Sequence, residues 1–259
     1  MPETDLELLI RAARAAGQTV RDLLGQPLEI EEKDDGAGPV TQADLAANAT
    51  LERVLRGARP DYGWLSEESP PDSERLSAPA TFVVDPIDGT RSFIQGDTTW
   101  AHSLAVVRDG KPVAAAVYLP MRDRMFSAAL GQGADLNGAA LVPSVAHNPD
   151  GARVLAAKPA LAAEHWKGAP PELYRHYRPS LAYRLCLVAE GRFDAMLTLR
   201  PSWEWDIAAG TLICQEAGAR VTDRTGAPLR FNNADPRTRG ILAAAPGLHG
   251  PLLARLGPA

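Results

Sequence analysis

Four short apolar runs follow one another between residues 81 and 130, and they restrict this part of the chain to a sheet. They are TFVVD (81–85), HSLAVV (102–107), PVAAAVYL (112–119) and MFSAAL (125–130). Runs of this length, separated by Gly, Pro and Asp, are typical of β-strands joined by tight turns. The next segment, GQGADLNG, does not lie between a strand and a helix, so it predicts a hairpin and not a dinucleotide-binding loop.

Helices are predicted before this sheet and again towards the end of the chain. Thr4 and Glu7 have the spacing of a capping box at the start of an amphipathic helix over residues 4–24. A second helix is predicted to begin at Thr41 and to end before Pro60. Later segments predict helices over 180–189 and 206–217, a strand over 193–199, a hairpin over 220–231 and a last strand over 240–245.

The mixed order of helices and strands predicts a layered α/β or α+β protein. Residues 147–179 are rich in Pro, Ala and polar side chains, so we expect a boundary there. It would separate an N-terminal half, residues 1–146, from a C-terminal half, residues 147–259. A shorter polar segment, residues 33–39, separates the first two predicted helices.

The composition of the chain narrows the classes of function. It has 259 residues, of which 45% are apolar, and this fits one large or two small globular domains. A net charge of −5 argues against binding to long nucleic acid or to an anionic membrane. No signal-peptide pattern is evident, and no apolar run approaches the roughly 20 residues that span a bilayer. With Cys186 and Cys214 inside apolar segments, these features predict a cytoplasmic protein with reduced thiols.

The stretch VVDPIDGTRSF places two carboxylates at the end of a predicted buried strand. Like charges at close range raise each other's pKa, and hard divalent cations with oxygen ligands offset that repulsion. Asp85, Asp88 and the carbonyl group of Ile87 are therefore candidate metal ligands. Gly89 and Thr90 open a predicted short helix, TRSFIQ, whose first amides would face an anion beside the metal. The alternative is a plain turn in which Asp88 only caps this helix.

Other acidic residues lie at comparable positions. Glu67 and Glu68 follow a short apolar segment in WLSEES, and Asp206 opens a predicted helix in SWEWDIAAG. Asp44 occupies the third position of the second predicted helix. Each has a structural interpretation when taken singly, because paired surface glutamates are common and an aspartate at a helix start often only caps the helix.

Together, the segments GPVTQAD, WLSEES, DPIDGTRSF and WDIAAG resemble the inositol monophosphatase family in their order and approximate spacing. The similarity extends from Lys33 to Gly218. Members of that family are magnesium-dependent, lithium-sensitive phosphomonoesterases. The resemblance implies a five-layer α-β-α-β-α sandwich with the active site in the cleft between its halves. It also implies a small phosphorylated substrate and, as in many relatives, a homodimer.

The resemblance further implies which residues hold the metal cofactor, expected to be two or three Mg²⁺ ions. Glu67, Asp85 and the Ile87 carbonyl would bind the first ion. Asp85, Asp88 and Asp206 would bind the second. In this interpretation the acidic segments converge on one metal site, although they are far apart in the sequence.

The same resemblance assigns the remaining motif residues to the phosphate and to the attacking water. Gly89 and Thr90 would receive the phosphate through their backbone amides, and the Thr90 hydroxyl would orient the water. Glu67 would accept the proton of that water, directly or through Thr90. Asp44 is a further catalytic candidate, and Lys33 has the spacing of the family's lysine near an additional, weakly held metal.

The residues around the last motif bear on which phosphate ester is hydrolysed. Inositol monophosphatases carry a substrate-binding glutamate seven residues before the WD aspartate, and this chain has Leu199 there. The run LTLRPSWEWD instead resembles the bisphosphate nucleotidases of the family. Ser180, Arg184, Arg200 and Asp206 are therefore the candidate substrate contacts, because guanidinium groups suit a second phosphate.

For Arg184 and Arg200, the alternative is that they are solvated or paired with Glu190 or Asp194.

The expected reaction is the conversion of adenosine 3',5'-bisphosphate to AMP and phosphate. Inositol 1-phosphate is the second candidate substrate and histidinol phosphate the third, whereas fructose 1,6-bisphosphate is less favoured. A relative that binds phosphorylated ligands without hydrolysis is the alternative of a different class.

The histidines show no zinc-binding spacing and are interpreted as surface or loop residues. A reservation is made for His102, because it follows the predicted helix after DPIDGT.

Overall fold

The computed structural model describes residues 2–33 and 38–257, so most of the polar segment predicted at 33–39 lies outside the described residues. The helices in these ranges are α1 Asp5–Leu23, α2 Gln42–Ala58, α3 Thr90–Ile94, α4 Leu181–Ala189, α5 Glu204–Glu216 and α6 Pro246–Arg255. The strands are β1 Ile30–Glu32, β2 Pro39–Thr41, β3 Gly63–Ser66, β4 Thr81–Asp88, β5 Ala101–Arg108, β6 Lys111–Leu119, β7 Arg124–Ala129, β8 Ala134–Leu136, β9 Ala139–Ala140, β10 Arg153–Leu155, β11 Tyr174–His176, β12 Ala195–Thr198, β13 Ser202–Trp203, β14 Arg220–Thr222, β15 Arg237–Thr238 and β16 Ile241–Ala244.

Local capping explains where the first two helices begin. Thr4 caps α1 and Thr41 caps α2 through their side-chain oxygens. In each helix the acid three residues further on, Glu7 or Asp44, accepts a hydrogen bond from the backbone of the cap residue. Both predicted capping boxes are therefore confirmed.

Strands β3 to β9 form one sheet in sequence order, as the apolar runs predict. β3 and β4 are parallel, whereas each later pair of neighbours is antiparallel. Because β3 and β4 run in the same direction, their C-terminal ends lie at the same edge of the sheet. That edge carries the WLSEES and DPIDGT segments.

The second sheet has five strands in the order β11-β10-β12-β16-β14. The hairpin predicted over residues 220–231 is wrong, because β14 pairs with β16 near the end of the chain. After β14 the chain turns around Asp223, whose carboxylate accepts hydrogen bonds from the amides of Thr225 and Ala227. The strand predicted over 240–245 is confirmed as β16.

Three apolar clusters alternate with the two sheets. α1 and α2 pack on one face of the seven-stranded sheet, against Phe82 and Val84. α4 and α5 lie between the sheets, with Val83 on one side and Met196 on the other. α6 covers the outer face of the five-stranded sheet. The five-layer α-β-α-β-α architecture is thus confirmed, while the division of the chain at residue 146 stays a prediction.

The two central helices approach each other closely at Gly210 of α5. A Cβ atom at this position would lie 2.6 Å from the Cβ of Leu185 on α4, so a larger residue would force the helices apart. α5 is also tied to the seven-stranded sheet, because the hydroxyl of Ser103 on β5 donates to the Trp205 carbonyl at 2.9 Å.

The buried titratable residues include two histidines, His102 and His249, which have no exposed surface. The interpretation of His249 as a surface or loop residue is therefore wrong, whereas His102 is the histidine for which the sequence analysis made a reservation. Cys186 and Cys214 are buried free thiols, and burial raises the pKa of both. Within residues 2–33 and 38–257, no helix has the length and apolar character needed to cross a membrane.

Candidate active site

The parallel pair β3 and β4 brings the first two acids together. The register pairs Ser66 with Val84, and the Glu67 amide continues the ladder by donating to the Val84 carbonyl at 3.2 Å. Glu67 therefore lies beside Asp85. Because side chains alternate along a strand, Asp85 points to the same face as Val83, towards α4 and α5.

Asp206 reaches the same point from the C-terminal half of the chain. The prediction that it opens α5 is corrected by two residues, since the helix begins at Glu204 and Asp206 lies in its first turn. A carboxylate is favoured there by the partial positive charge of the helix N-terminus. Glu67, Asp85 and Asp206 each offer a carboxylate oxygen within 4.8 Å of the other two. We call these three residues the acidic triad.

The acidic triad is electrostatically costly. Burial, followed by the charges of Glu67 and Asp88, raises the pKa of Asp85 well above its ordinary value. Burial and the charges of Asp88 and Glu67 do the same to the pKa of Asp206, and Arg200 and Lys33 only partly oppose this. Asp85 Oδ1 is buried and accepts no hydrogen bond from any residue that the structure describes.

Asp88 lies beside the triad and is held by the N-terminus of α4. Its Oδ2 atom accepts hydrogen bonds from the Ser180 hydroxyl at 2.6 Å and from the Ala182 amide at 2.7 Å. Burial raises the pKa of Asp88 to about 6, against the opposing effect of these bonds. Ser180 was predicted to contact substrate, but it has no exposed surface and its hydroxyl is engaged by Asp88. It orients a carboxylate instead.

Lys33 bridges the two glutamates that follow β3. Its ammonium group donates to Glu67 Oε1 at 2.7 Å and to Glu68 Oε1 at 2.6 Å. Burial raises the pKa of Glu68 to about 7, although the hydrogen bond from Lys33 opposes the shift. Lys33 is thus next to the acidic triad, where the family resemblance places its lysine.

Thr90 and Asp44 form a hydrogen-bonded pair at the same edge. The Thr90 hydroxyl lies 3.1 Å from Asp44 Oδ1 and 3.1 Å from the Ile87 carbonyl oxygen. The other oxygen of Asp44 accepts from the backbone and hydroxyl groups of Thr41. Asp44 therefore serves both alternatives considered for it, since it closes the α2 capping box and also faces Thr90. Gly89 adopts φ 105°, which favours glycine and turns the chain into α3.

A further contributor to this edge is His102, the histidine for which the sequence analysis made a reservation. The His102 ring, on β5, donates from Nδ1 to the Pro86 carbonyl. It therefore supports the irregular end of β4, where the register shifts between Asp85 and Asp88. Burial lowers the pKa of His102 to about 4, so the ring is neutral at physiological pH. Its signal in the sequence is weak, because one histidine in an apolar strand resembles any buried aromatic residue.

The sequence model of the inositol monophosphatase family matches residues 1–257 of the chain. The chain belongs to the inositol monophosphatase family. It is therefore a phosphatase of a family that uses divalent metals.

Relatives within the inositol monophosphatase family differ in name and function. The chain is 35% identical over 232 residues to Nus factor SuhB of Escherichia coli K12, covering 85% of each protein. It is 32% identical over 231 residues to the 3'(2'),5'-bisphosphate nucleotidase CysQ of the same strain, covering 87% of this chain and 93% of CysQ. The structure of the Thermotoga maritima IMPase matches with a TM-score of 0.80 at 25% identity, over 95% of this chain and 93% of that one.

The donor set of this family member fits a hard divalent cation. Three carboxylates from separate segments converge within 4.8 Å, and a buried Asp85 oxygen has no partner among the described residues. Glu67, Asp85 and Asp206 would hold such an ion, with Asp88 beside them. Oxygen-only ligation suits Mg²⁺ or Ca²⁺ better than Zn²⁺.

The predicted substrate residues of this inositol monophosphatase relative lie in different environments. Arg184 is only 4% exposed, stacks on the Tyr177 ring at 4.5 Å and donates to the carbonyl groups of Arg178 and Pro179. Arg200 is exposed and close enough to Asp206 to lower its pKa. The suggested pairing of these arginines with Glu190 or Asp194 is wrong, since those acids bind other arginines, Arg124 and Arg153.

Proposed function

We propose that this protein is a Mg²⁺-dependent phosphomonoesterase that hydrolyses 3'(2'),5'-bisphosphate nucleotides, with adenosine 3',5'-bisphosphate converted to AMP and phosphate. The observation that supports metal-dependent hydrolysis is the acidic triad, in which the Asp85 Oδ1 atom has no hydrogen-bond partner within residues 2–33 and 38–257. Two or three ions are expected, because Asp88 and the Ile87 carbonyl adjoin the triad and offer further oxygen ligands.

The bound cations would lower the pKa of water and neutralise charge on the leaving oxygen. Thr90 would orient the attacking water. Its single proton can be donated to only one acceptor, and donation to Asp44 Oδ1 leaves a hydroxyl lone pair to accept from the water. Glu67 would take up the released proton directly, because the Thr90 proton is donated to Asp44.

The transferred phosphoryl group would lie against the Gly89 and Thr90 amides. The left-handed conformation of Gly89 supports this arrangement, because it turns the chain so that the first amides of α3 follow the acidic segment directly. Phosphoryl transfer depends mainly on positioning and on neutralising charge, which amides and cations together provide.

The preference for a nucleotide rests on two side chains. Leu199, at the position of the family's polyol-binding glutamate, is buried in the outer apolar cluster and offers no hydrogen bond to inositol hydroxyls. Arg200 is exposed beside Asp206 and borders a cavity of about 440 Å³ whose other walls include Pro159 and Ala160. An arginine with partly apolar neighbours suits a second phosphate and a nucleobase. The similarity to CysQ supports the same substrate class.

A phosphate-release assay with Mg²⁺ would test this proposal. The substrates are adenosine 3',5'-bisphosphate, inositol 1-phosphate, histidinol phosphate and fructose 1,6-bisphosphate, each with and without Li⁺. We expect kcat/KM for the nucleotide to exceed that for the other esters by about tenfold or more. A preference of that size for inositol 1-phosphate would contradict the proposal, and absence of hydrolysis in every reaction would favour a non-catalytic relative.

Arg200→Ala tests the second phosphate site. We expect it to raise KM for adenosine 3',5'-bisphosphate about tenfold, because a charge-assisted contact is lost. KM for a nucleoside monophosphate should change little. Arg192→Ala is a suitable control. Arg192 is an exposed arginine that follows the C-terminal end of α4, whereas Asp88 is bound at the N-terminal end of this helix. Equal effects of Arg200→Ala on both nucleotides would contradict this role.

Inositol 1-phosphatase is the second candidate function. The match to the Thermotoga maritima IMPase favours it. The homodimer implied by the family also remains a prediction, and light scattering of the purified protein would test it.

A further inference from the structure

A second buried carboxylate lies on α5, two residues before Asp206. Glu204 has no exposed surface, yet both of its oxygens are satisfied. Oε2 accepts from the Asn232 amide at 2.6 Å, and Oε1 accepts from the Asn233 amide at 3.0 Å and from the Asn233 side chain at 2.6 Å. Each of these donors is far from Glu204 in the sequence, so the first turn of α5 is fixed to a distant loop.

The same loop is held from its other side by Arg75. The guanidinium group of Arg75 donates to the Asn232 side chain and, at 2.7 Å, to the Asn233 carbonyl. Asn232 returns a hydrogen bond from its side chain to the Arg75 carbonyl. Asn232 and Asn233 therefore lie between the buried guanidinium group of Arg75 and the buried carboxylate of Glu204. These two opposite charges also attract each other. We call Arg75, Glu204, Asn232 and Asn233 the clasp.

Arg75 belongs to the part of the chain that carries the other triad acids. It lies in the connection between β3, which ends beside Glu67, and β4, which contains Asp85. Its carbonyl accepts from the Thr81 hydroxyl at the start of β4. Its backbone also packs against β3, because a Cβ at Gly63 would lie 2.7 Å from the Arg75 Cα. The clasp thus joins the segment with Glu67 and Asp85 to the helix with Asp206.

This connection opposes a force that the acidic triad itself creates. The carboxylate oxygens of Glu67, Asp85 and Asp206 lie within 4.8 Å of one another, and ionised carboxylates at that distance repel, which favours a larger separation between the start of α5 and the sheet. The Glu204 side chain anchors that same helical turn through three hydrogen bonds. A metal site binds tightly when its ligands are held in place beforehand by the residues around them.

We propose that Glu204 and Arg75 are positioning residues for metal binding, which hold Asp206 at the distance from Glu67 and Asp85 that a cation requires. Neither side chain contacts substrate or metal. This inference rests on the proposed function, because it concerns the metal site of the phosphatase. It predicts that weakening the clasp reduces metal affinity and leaves the reaction itself largely intact once metal is saturating.

Glu204→Gln is the first test. Glutamine has the same shape as glutamate, but its amide NH₂ group replaces one of the two carboxylate oxygens. This NH₂ group cannot accept the hydrogen bonds that the asparagines donate. Calorimetric titration of the metal-free protein with Mg²⁺ should show a Kd about tenfold higher than in the wild type. In the phosphate-release assay, the Mg²⁺ concentration for half-maximal rate should rise equally, and kcat at saturating Mg²⁺ should stay within about twofold.

Asp235→Asn is the matched control. It removes the exposed ion pair between Asp235 and Arg237 in the same loop and leaves the clasp in place. Its Mg²⁺ affinity should equal that of the wild type. Arg75→Lys provides a second route if Glu204→Gln does not fold, because lysine keeps the charge but lacks the two-pronged donor geometry. Mg²⁺ affinity in Arg75→Lys should also fall.

Two results would overturn the proposal. One is a folded Glu204→Gln or Arg75→Lys protein with a lower melting temperature and an unchanged Kd for Mg²⁺. The other is an equal loss of Mg²⁺ affinity in Asp235→Asn. Calorimetry needs no substrate, so a wild-type protein that binds Mg²⁺ but hydrolyses no ester would refute the proposed function alone.

Discussion

Glu204 and Asp206 lie two residues apart on the first turn of α5, and both are acids whose pKa is raised mainly by burial. Their surroundings differ in kind. Glu204 accepts hydrogen bonds from two asparagines, whereas Asp206 faces the carboxylates of the acidic triad. The direction of the pKa shift is the same for both. The two acids differ in the identity of their neighbours, since Glu204 faces hydrogen-bond donors and Asp206, the proposed metal ligand, faces like charges.

The different neighbours of Glu204 and Asp206 also predict different contributions to the stability of the metal-free protein. A buried carboxylate with every lone pair engaged contributes to a specific structure, and removing it leaves donors unsatisfied. A buried carboxylate beside other carboxylates raises the free energy of the metal-free protein until a cation binds. Substitutions at the two sites should therefore have opposite effects on stability.

The largest expected effect is that of Asp85→Asn. This variant removes the charge of a carboxylate whose Oδ1 atom has no hydrogen-bond partner among the described residues. We expect turnover of adenosine 3',5'-bisphosphate to fall about 10³-fold at saturating Mg²⁺. Without Mg²⁺, the melting temperature should rise by about 3 °C, because repulsion in the triad is reduced. Steady-state kinetics and thermal unfolding measure the two effects. A decrease in metal-free stability, like that expected for Glu204→Gln, would contradict the contrast between Glu204 and the carboxylates of the acidic triad.

The next effect concerns Thr90, whose hydroxyl group is hydrogen-bonded to Asp44 and not to an acid of the triad. Thr90→Ala should reduce kcat about 10²-fold, because the group that orients the attacking water is lost. Thr90→Ser keeps the hydroxyl and should recover most of the rate. Calorimetric Mg²⁺ affinity should change little in both variants. Equal losses in Thr90→Ala and Thr90→Ser would show that the methyl group, and not the hydroxyl, is important.

The smallest effect is the pH dependence of stability in the metal-free protein. The folded-state pKa of Asp88 is about 6, compared with 3.8 ordinarily, so the folded protein binds more protons than the unfolded chain between these values. The free energy of unfolding should therefore fall as pH rises through this window, and Asp85 and Asp206 extend the fall upwards.

Mg²⁺ should offset this loss, because it binds the ionised carboxylates. We expect the Mg²⁺-induced increase in melting temperature to be about 5 °C larger at pH 8 than at pH 5. Differential scanning calorimetry at the two pH values, with EDTA or with Mg²⁺, measures the difference. An increase of the same size at both values would contradict the assignment of these acids to the cation.

Much of the fold and of the acidic site was predictable from the sequence, because the relevant signals are local. Capping boxes at Thr4 and Thr41 fix helix starts within a few residues, and alternation of short apolar runs with turns defines the seven-stranded sheet. The acids at the ends of β3 and β4 could be placed together through the family resemblance, because each lies within one of its motifs. The four motifs then identified the family correctly.

The rest depends on contacts between distant segments, which local patterns do not report. The turn residues after β14 suggested a hairpin, but the strand pairs with β16 instead. The inward orientation of Ser180 and Arg184 follows from how α4 meets Asp88 and Tyr177. Arg75 gave no signal at all, because its asparagine partners lie more than 150 positions away.

The glycine contact between α4 and α5 has a consequence for how substrate enters and product leaves. The N-terminus of α4 donates a hydrogen bond to Asp88, and α5 carries Asp206. Because Gly210 lets α4 and α5 pack closely, we expect the two helices to move as one block. A movement of this block away from the seven-stranded sheet would separate Asp206 from Glu67 and break the hydrogen bonds between Asp88 and the start of α4. We therefore expect the proposed cation site to stay assembled during turnover, with substrate and product passing the exposed side of the site beside Arg200.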